Sequence, residues 1–158
     1  MMVPKFRAYI KDLDEFDYND VPHKGHFVYG NLIKGKPNDD VDAIVGDLIE
    51  IHDEYVNVEW WQSIEKGSAE QSTGLKDANG KEICEGDILA TSSRIGGKLI
   101  TDYLKVDWRE DYAGFFCGET PLYACLSEWN NDIKYPQTFP EIAGNAHENP
   151  ELLEVQHG

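Results

Sequence analysis

Residues 73–89 read TGLKDANGKEICEGDIL, and no other stretch restricts the fold of this chain so tightly. Three glycines, Gly74, Gly80 and Gly86, punctuate it. Asp77-Ala78-Asn79-Gly80 has the residue types of a type I turn that ends in a left-handed residue. The Asp carboxylate can cap the backbone just ahead of it, Asn tolerates the bridge region, and Gly takes positive φ without a Cβ clash. Such a turn predicts a hairpin in which residues 74–76 run antiparallel to 81–84. A second turn is expected at Glu85-Gly86-Asp87, followed by a strand over 88–91. Asp77, Asn79, Gly80, Gly86 and Asp87 are thus expected to act as structural turn residues.

The same letters superficially suggest a calcium loop, and the spacing rules against one. An EF-hand needs its glycine at loop position six, oxygen ligands at alternating positions and a Glu at position twelve. Counted from Asp77, the glycine falls fourth and Asp87 eleventh. The stretch reads as architecture, and no metal or cofactor is expected there or elsewhere in the chain.

Thr73-Gly74-Leu75-Lys76-Asp77-x-Asn79-Gly80-Lys81-Glu82-Ile83-x-Glu85-Gly86-Asp87-Ile88 resembles the signature of the YopX family of phage and prophage proteins. Pro4-Lys5-Phe6-Arg7-Ala8-Tyr9 is similar to the opening strand of that family. Ile142-Ala143-Gly144-Asn145-x-x-Glu148-Asn149-Pro150-Glu151-Leu152-Leu153 is similar to its closing segment. The chain departs from the pattern at Cys84, where an aromatic is usual, at His147, near an aromatic position, and over residues 13–71, which match poorly. The resemblance implies a small, mostly β protein of a mobile element and no established biochemical activity. With 158 residues, one domain spanning 1–158 is expected, a variable part at 1–70 and a signature-bearing β core at 71–158.

The rest of the chain carries strand and turn signals. In residues 5–10, Phe6, Ala8 and Ile10 fall on one face of a half-buried strand. The acidic run Asp12, Asp14, Glu15, Asp17 and Asp20 reads as a solvated loop or hairpin end. His23-x-x-His26 lies in a turn marked by Pro22 and Gly25. Two histidines could share a metal, but no Cys or further His stands near, so surface or partly packed rings are expected. A strand over 26–33 leads to a loop at 34–40. Val41, Ile44, Val45, Leu48, Ile49 and Ile51 have helix-like spacing, but Gly46 and the β-branched residues favour strands. Residues 55–61 alternate, with Val56, Val58 and Trp60 inward and Asn57 and Glu59 outward, and 63–72 reads as a connector.

Arg94-Ile95-Gly96-Gly97-Lys98 reads as a turn before a strand at 99–106. A phosphate loop would need a longer glycine pattern leading into a helix. A further turn is expected at Trp108-Arg109-Glu110-Asp111, then a core strand at 114–117 and short strands at 122–126 and 138–139. Ile142-Ala143 closes the sheet, and Asn149-Pro150-Glu151 offers a cap, a proline and an acid for a short helical turn at the C-terminus. About seven to nine short strands with regular turns predict a mainly β fold. The expected architecture is a small SH3-like barrel or a β-sandwich of short antiparallel strands.

Net charge is −16, and each side of residue 70 carries 7 basic and 15 acidic residues. Such a surface repels phosphate, so neither direct nucleic-acid binding nor an anionic membrane surface is expected. The N-terminus does not resemble a signal peptide and no apolar run is long enough to span a bilayer, so the bacterial host's cytoplasm is the expected compartment. Cys84, Cys117 and Cys125 are an odd number without a C-x-x-C spacing, read as reduced, small core residues.

No nucleophile motif occurs, and Cys117 lies in an apolar run where a thiolate is disfavoured. No enzyme is expected, and no catalytic residue is assigned. Trp60, Trp61, Trp108 and Trp129 are the candidate binding residues, since an exposed Trp anchors interfaces. The leading expectation is a protein-binding or self-associating accessory module, a homo-oligomer or the partner of an unidentified protein. The alternative is an acidic mimic of DNA that inhibits a nucleic-acid-binding protein. Its warrant is the pairs Asp12/Asp14 and Asp40/Asp42, whose carboxylates on a strand would lie roughly 6–7 Å apart, near the phosphate spacing.

Overall fold

The computed structural model describes residues 5–12, 14, 21–127 and 140–154, without the side chains of 93–95 and 127. These residues are mainly β, and the chain divides into two compact units, Met1–Ser72 and Thr73–Gly158. In the first, β1 (Phe6–Tyr9), β2 (Phe27–Ile33), β3 (Val41–Val45), β4 (Leu48–Ile51), β5 (Val56–Val58) and β6 (Trp61–Glu65) are followed by the start of β7 (Glu70–Lys76). An antiparallel sheet runs in the order β6-β3-β2-β1-β7. Alternation places Ala8, Val28, Ile44 and Ile64 on its core face, where Ile10 and Val21 join them and Phe6, Leu32 and Trp60 pack alongside. On the other face the buried Arg7 guanidinium lies 4.3 Å over the Phe27 ring, and its Nε donates to Glu70 Oε1 at 3.1 Å.

Two short strands continue the β3–β6 pair beyond this sheet, with Gly46 N donating to Trp60 O at 2.9 Å and Glu59 N to Asp47 O at 2.7 Å. Among the described residues β4 and β5 form a two-stranded sheet of their own, through Leu48↔Val58, Glu50↔Asn57 and Ile51↔Val56, with a bulge at Ile49. Val56, expected inward, is exposed, because no second layer covers this pair among the described residues. The expected connector at 63–72 is largely sheet as well. β6 pairs with β3 from Val41↔Glu65 to Val45↔Trp61, and Gly67, at φ +78°, turns the chain towards β7. Ser, Gln and Glu hid these strands, since backbone pairing needs no apolar side chain on the outer face.

The second unit holds the rest of β7, β8 (Glu82–Cys84), β9 (Asp87–Ile95), β10 (Lys98–Arg109), β11 (Gly114–Cys117), β12 (Thr120–Pro121), α1 (Leu122–Ser127), β13 (Glu141–Asn145) and a 3₁₀ turn, Pro150–Glu154. An antiparallel sheet runs β12-β11-β10-β9-β13. Ile83, Leu89, Val106, Cys117 and Leu122 form its core, with Leu104, Phe115, Cys125, Leu126 and Ile142 against them.

Several expectations are corrected here. Residues 122–126 form a helix, because Leu122, Cys125 and Leu126, spaced by three and four, then face the core together. β10 runs on through Trp108 and Arg109, and the turn expected there falls at 110–113, closed by Ala113 N donating to Glu110 O at 3.2 Å. The expected mainly β fold of antiparallel strands is present, and of its two expected forms the SH3-like barrel is excluded, since the sheets do not close. The expected helical turn at the C-terminus is present as the 3₁₀ segment, with Leu152 N donating to Asn149 O at 3.1 Å. The strand expected at 138–139, Trp129 and most of the acidic run at 12–20 lie outside the described residues. No helix among the described residues is long and apolar enough to cross a membrane.

Candidate functional site

The glycine-punctuated stretch is a structural hub. β7 and β8 are hydrogen-bonded neighbours, joined by a turn in which Gly80 N donates to Asp77 O at 3.0 Å and Asp77 N to Lys81 O at 2.8 Å. Gly80 and Gly86 have φ of +78° and +89°, the left-handed backbone that their residue type predicts. The buried Asp77 carboxylate accepts from Asn79 N and Lys81 N through Oδ1, and from Ile142 N of β13 through Oδ2, each at 2.9 Å. Asp87 Oδ2 accepts from Cys84 N at 2.8 Å, and Gly86 N donates to Val106 O at 2.8 Å. These acids and glycines tie together β8, β9, β10 and β13 of the second unit.

Asp42 works in the same way in the first unit. Its Oδ1 accepts from Gly35 N at 2.8 Å and its Oδ2 from Gly67 N at 2.9 Å. Those backbone donors, Gly67 foremost, hold its carboxyl below the ordinary Asp value, helped by the charges of Lys66 and Lys34. Buried and so engaged, Asp42 is withdrawn from any surface row with Asp40. The two histidines bond the backbone: His23 Nδ1 lies 2.9 Å from Gly25 O and His26 Nδ1 2.8 Å from Ile10 O. Among the described residues no three metal-ligating side chains converge.

The tryptophans separate into different roles. Trp60, between β5 and β6, is half-buried against the first core. A Cβ at Gly46 would lie 2.7 Å from its Cδ1, and one at Gly30 would lie 3.1 Å from its Cη2. Both glycines therefore clear space for the indole, which also explains Gly46 better than a broken helix does. Trp61, at the start of β6, is 40% exposed. Trp108 is 39% exposed on β10 and meets Phe115 edge-on at 5.1 Å. Trp61 and Trp108 belong to different units.

The most exposed apolar surface is one that no single motif marks. On the β4–β5 hairpin, Leu48 is 54%, Ile49 63%, Ile51 71%, Tyr55 53% and Val56 57% exposed. Residues opposite one another share a face, so Leu48, Ile51, Val56 and Val58 line one side and Glu50 and Asn57 the other. The polar side is cross-linked internally. Asn57 Nδ2 donates to Glu50 Oε1, His52 Nε2 lies 2.9 Å from Glu50 Oε2, and the His52 ring stacks on Tyr55 at 4.3 Å. Among the described residues nothing covers the apolar side. A signal was available in sequence: 48–58 holds more apolar residues than one buried strand face needs.

A second arrangement joins residues that sequence spacing kept apart. The Cys117 and Cys125 thiols share a hydrogen bond, which together with burial pushes Cys117 up and which lowers Cys125. Nearby, the exposed Tyr112 hydroxyl is pushed up by its hydrogen bond to Tyr123.

Comparisons with known proteins agree with this architecture. The chain is similar to the crystal structure of protein EF1440 from Enterococcus faecalis, at 26% identity and a TM-score of 0.55, over 97% of this chain and 99% of that one. No curated protein matches it. The YopX family, described as YopX protein, matches residues 5–154, and the chain belongs to that family.

Proposed function

We propose that this chain is a non-enzymatic, self-associating module of a phage or prophage, and that the apolar side of the β4–β5 hairpin meets a second copy. The carrying observation is the exposure of Leu48, Ile51 and Val56 on one side of a two-stranded sheet. The hairpin extends the β3–β6 pair, and contiguous exposed apolar side chains of this kind mark interaction sites. A second copy fits this side because it presents no charge, so two such sides can meet although the chain as a whole carries −16.

Three exposed side chains cannot by themselves fill the roughly 800 Å² per partner of a standard interface. Edge strand β6 with Trp61 would supply further area. A purely binding role is supported by the buried carboxylates Asp42, Asp77 and Asp87, each engaged by backbone N–H groups of the fold itself. The phage or prophage setting rests on the family.

Sedimentation velocity over a concentration series tests the reading. The chain should assemble reversibly, and an Ile51→Lys/Val56→Lys variant should sediment as a monomer with unchanged circular dichroism. A wild-type chain that stays monomeric throughout the series would remove the proposal.

A further inference from the structure

We propose that Cys117 and Cys125 are an intramolecular redox pair, which a peroxide converts into a disulfide that ties α1 to β11. Cys117 ends β11, paired across to Val106 and Thr120, and Gly118 at φ +62° reverses the chain immediately after it. The reversal brings α1 back over the strand that precedes it. Leu122 and Leu126 of α1 pack in the cluster that holds Cys117, and Cys125, between them on the same helical face, packs there too. The two thiols end within hydrogen-bonding reach, although seven residues separate them. Cys84, on β8, is not part of that cluster.

Burial divides the roles. Cys117 is buried, while Cys125 is partly exposed, so an incoming peroxide meets the Cys125 sulfur first. The Cys125 thiolate attacks one peroxide oxygen, the O–O bond breaks, and the departing hydroxide takes a proton to leave as water. Cys125 is then a sulfenic acid, oxidised by two electrons. The Cys117 sulfur attacks the Cys125 sulfur, the S–O bond breaks, and the hydroxide leaves with the Cys117 proton as a second water. Two thiols and one peroxide become one disulfide and two waters.

The test uses the full reduced chain, treated with hydrogen peroxide, alkylated after denaturation and mapped by mass spectrometry. Cys117 and Cys125 should be lost together as one cross-linked peptide, with Cys84 fully alkylated and no linkage between chains. In Cys117→Ser, Cys125 should stop at a sulfenic acid that dimedone captures. A linkage through Cys84, a linkage between chains, oxidation of Cys125 without the cross-link, or two unreacted thiols would each overturn the proposal. The wild-type map decides the matter even if the variant does not fold.

Discussion

Three backbone N–H groups converge on the Asp77 carboxylate, two from its own turn and one from β13, 65 residues along the chain. Hydrogen bonds to a charged acceptor are the stronger kind, and removing a buried acceptor leaves its donors unsatisfied. Asp77→Ala should therefore cost about 3 kcal/mol, read as a fall in the urea midpoint. Asp77→Asn keeps an oxygen for the turn but gives up the donor from Ile142, so its midpoint should fall between the two. Asp42 gives a prediction in pH. Its folded value lies below its unfolded one, about 3.9, so its stabilisation is complete above that pH and is lost as pH falls through the lowered folded value. Melting temperatures of wild type and Asp42→Asn, measured from about pH 6 to about pH 3, should converge as the solution becomes acidic. A gap that stays constant in acid would show that the carboxylate contributes through something other than its charge.

Elements are held in place here by what lies across from them. Gly30 and Gly46 form a flat bed for the Trp60 indole between β2, β3 and the start of β6. Gly46→Ala would place a methyl group against that ring, and overpacking of this kind costs about 1–3 kcal/mol. Thermal denaturation should show the loss, and Trp60 fluorescence should shift to the red as the ring is displaced. If both remain unchanged, the indole is free to move aside and the glycine has another purpose. α1 illustrates the same dependence from the opposite direction. Leu122-Tyr123-Ala124-Cys125-Leu126 has no decisive period of its own, and it is helical because that geometry brings Leu122, Cys125 and Leu126 to one core.

At the scale of the whole molecule, net charge acts on every part of the fold at once, beyond what any single contact shows. Both halves carry −8, so repulsion is distributed along the chain rather than concentrated in a tail. Raising sodium chloride from about 0.01 M to about 0.3 M shortens the screening length from roughly 30 Å to under 10 Å and should raise the urea midpoint. A midpoint that falls with salt would mean that ion pairs such as Arg7–Glu70 and Arg109–Glu119 outweigh the repulsion.

What the sequence determined by itself is local. The left-handed glycines at 80 and 86, the Asp77 turn, the antiparallel strands and the short 3₁₀ turn after Asn149 each follow from the φ and ψ that a few neighbouring residues permit. Tertiary structure alone decided the helix at 122–127, the exposed side of the β4–β5 hairpin, the tie from Asp77 to Ile142 and the meeting of Cys117 with Cys125. Each of these depends on which surface arrives opposite a side chain once distant segments pack, and residue spacing along the chain does not encode that distance.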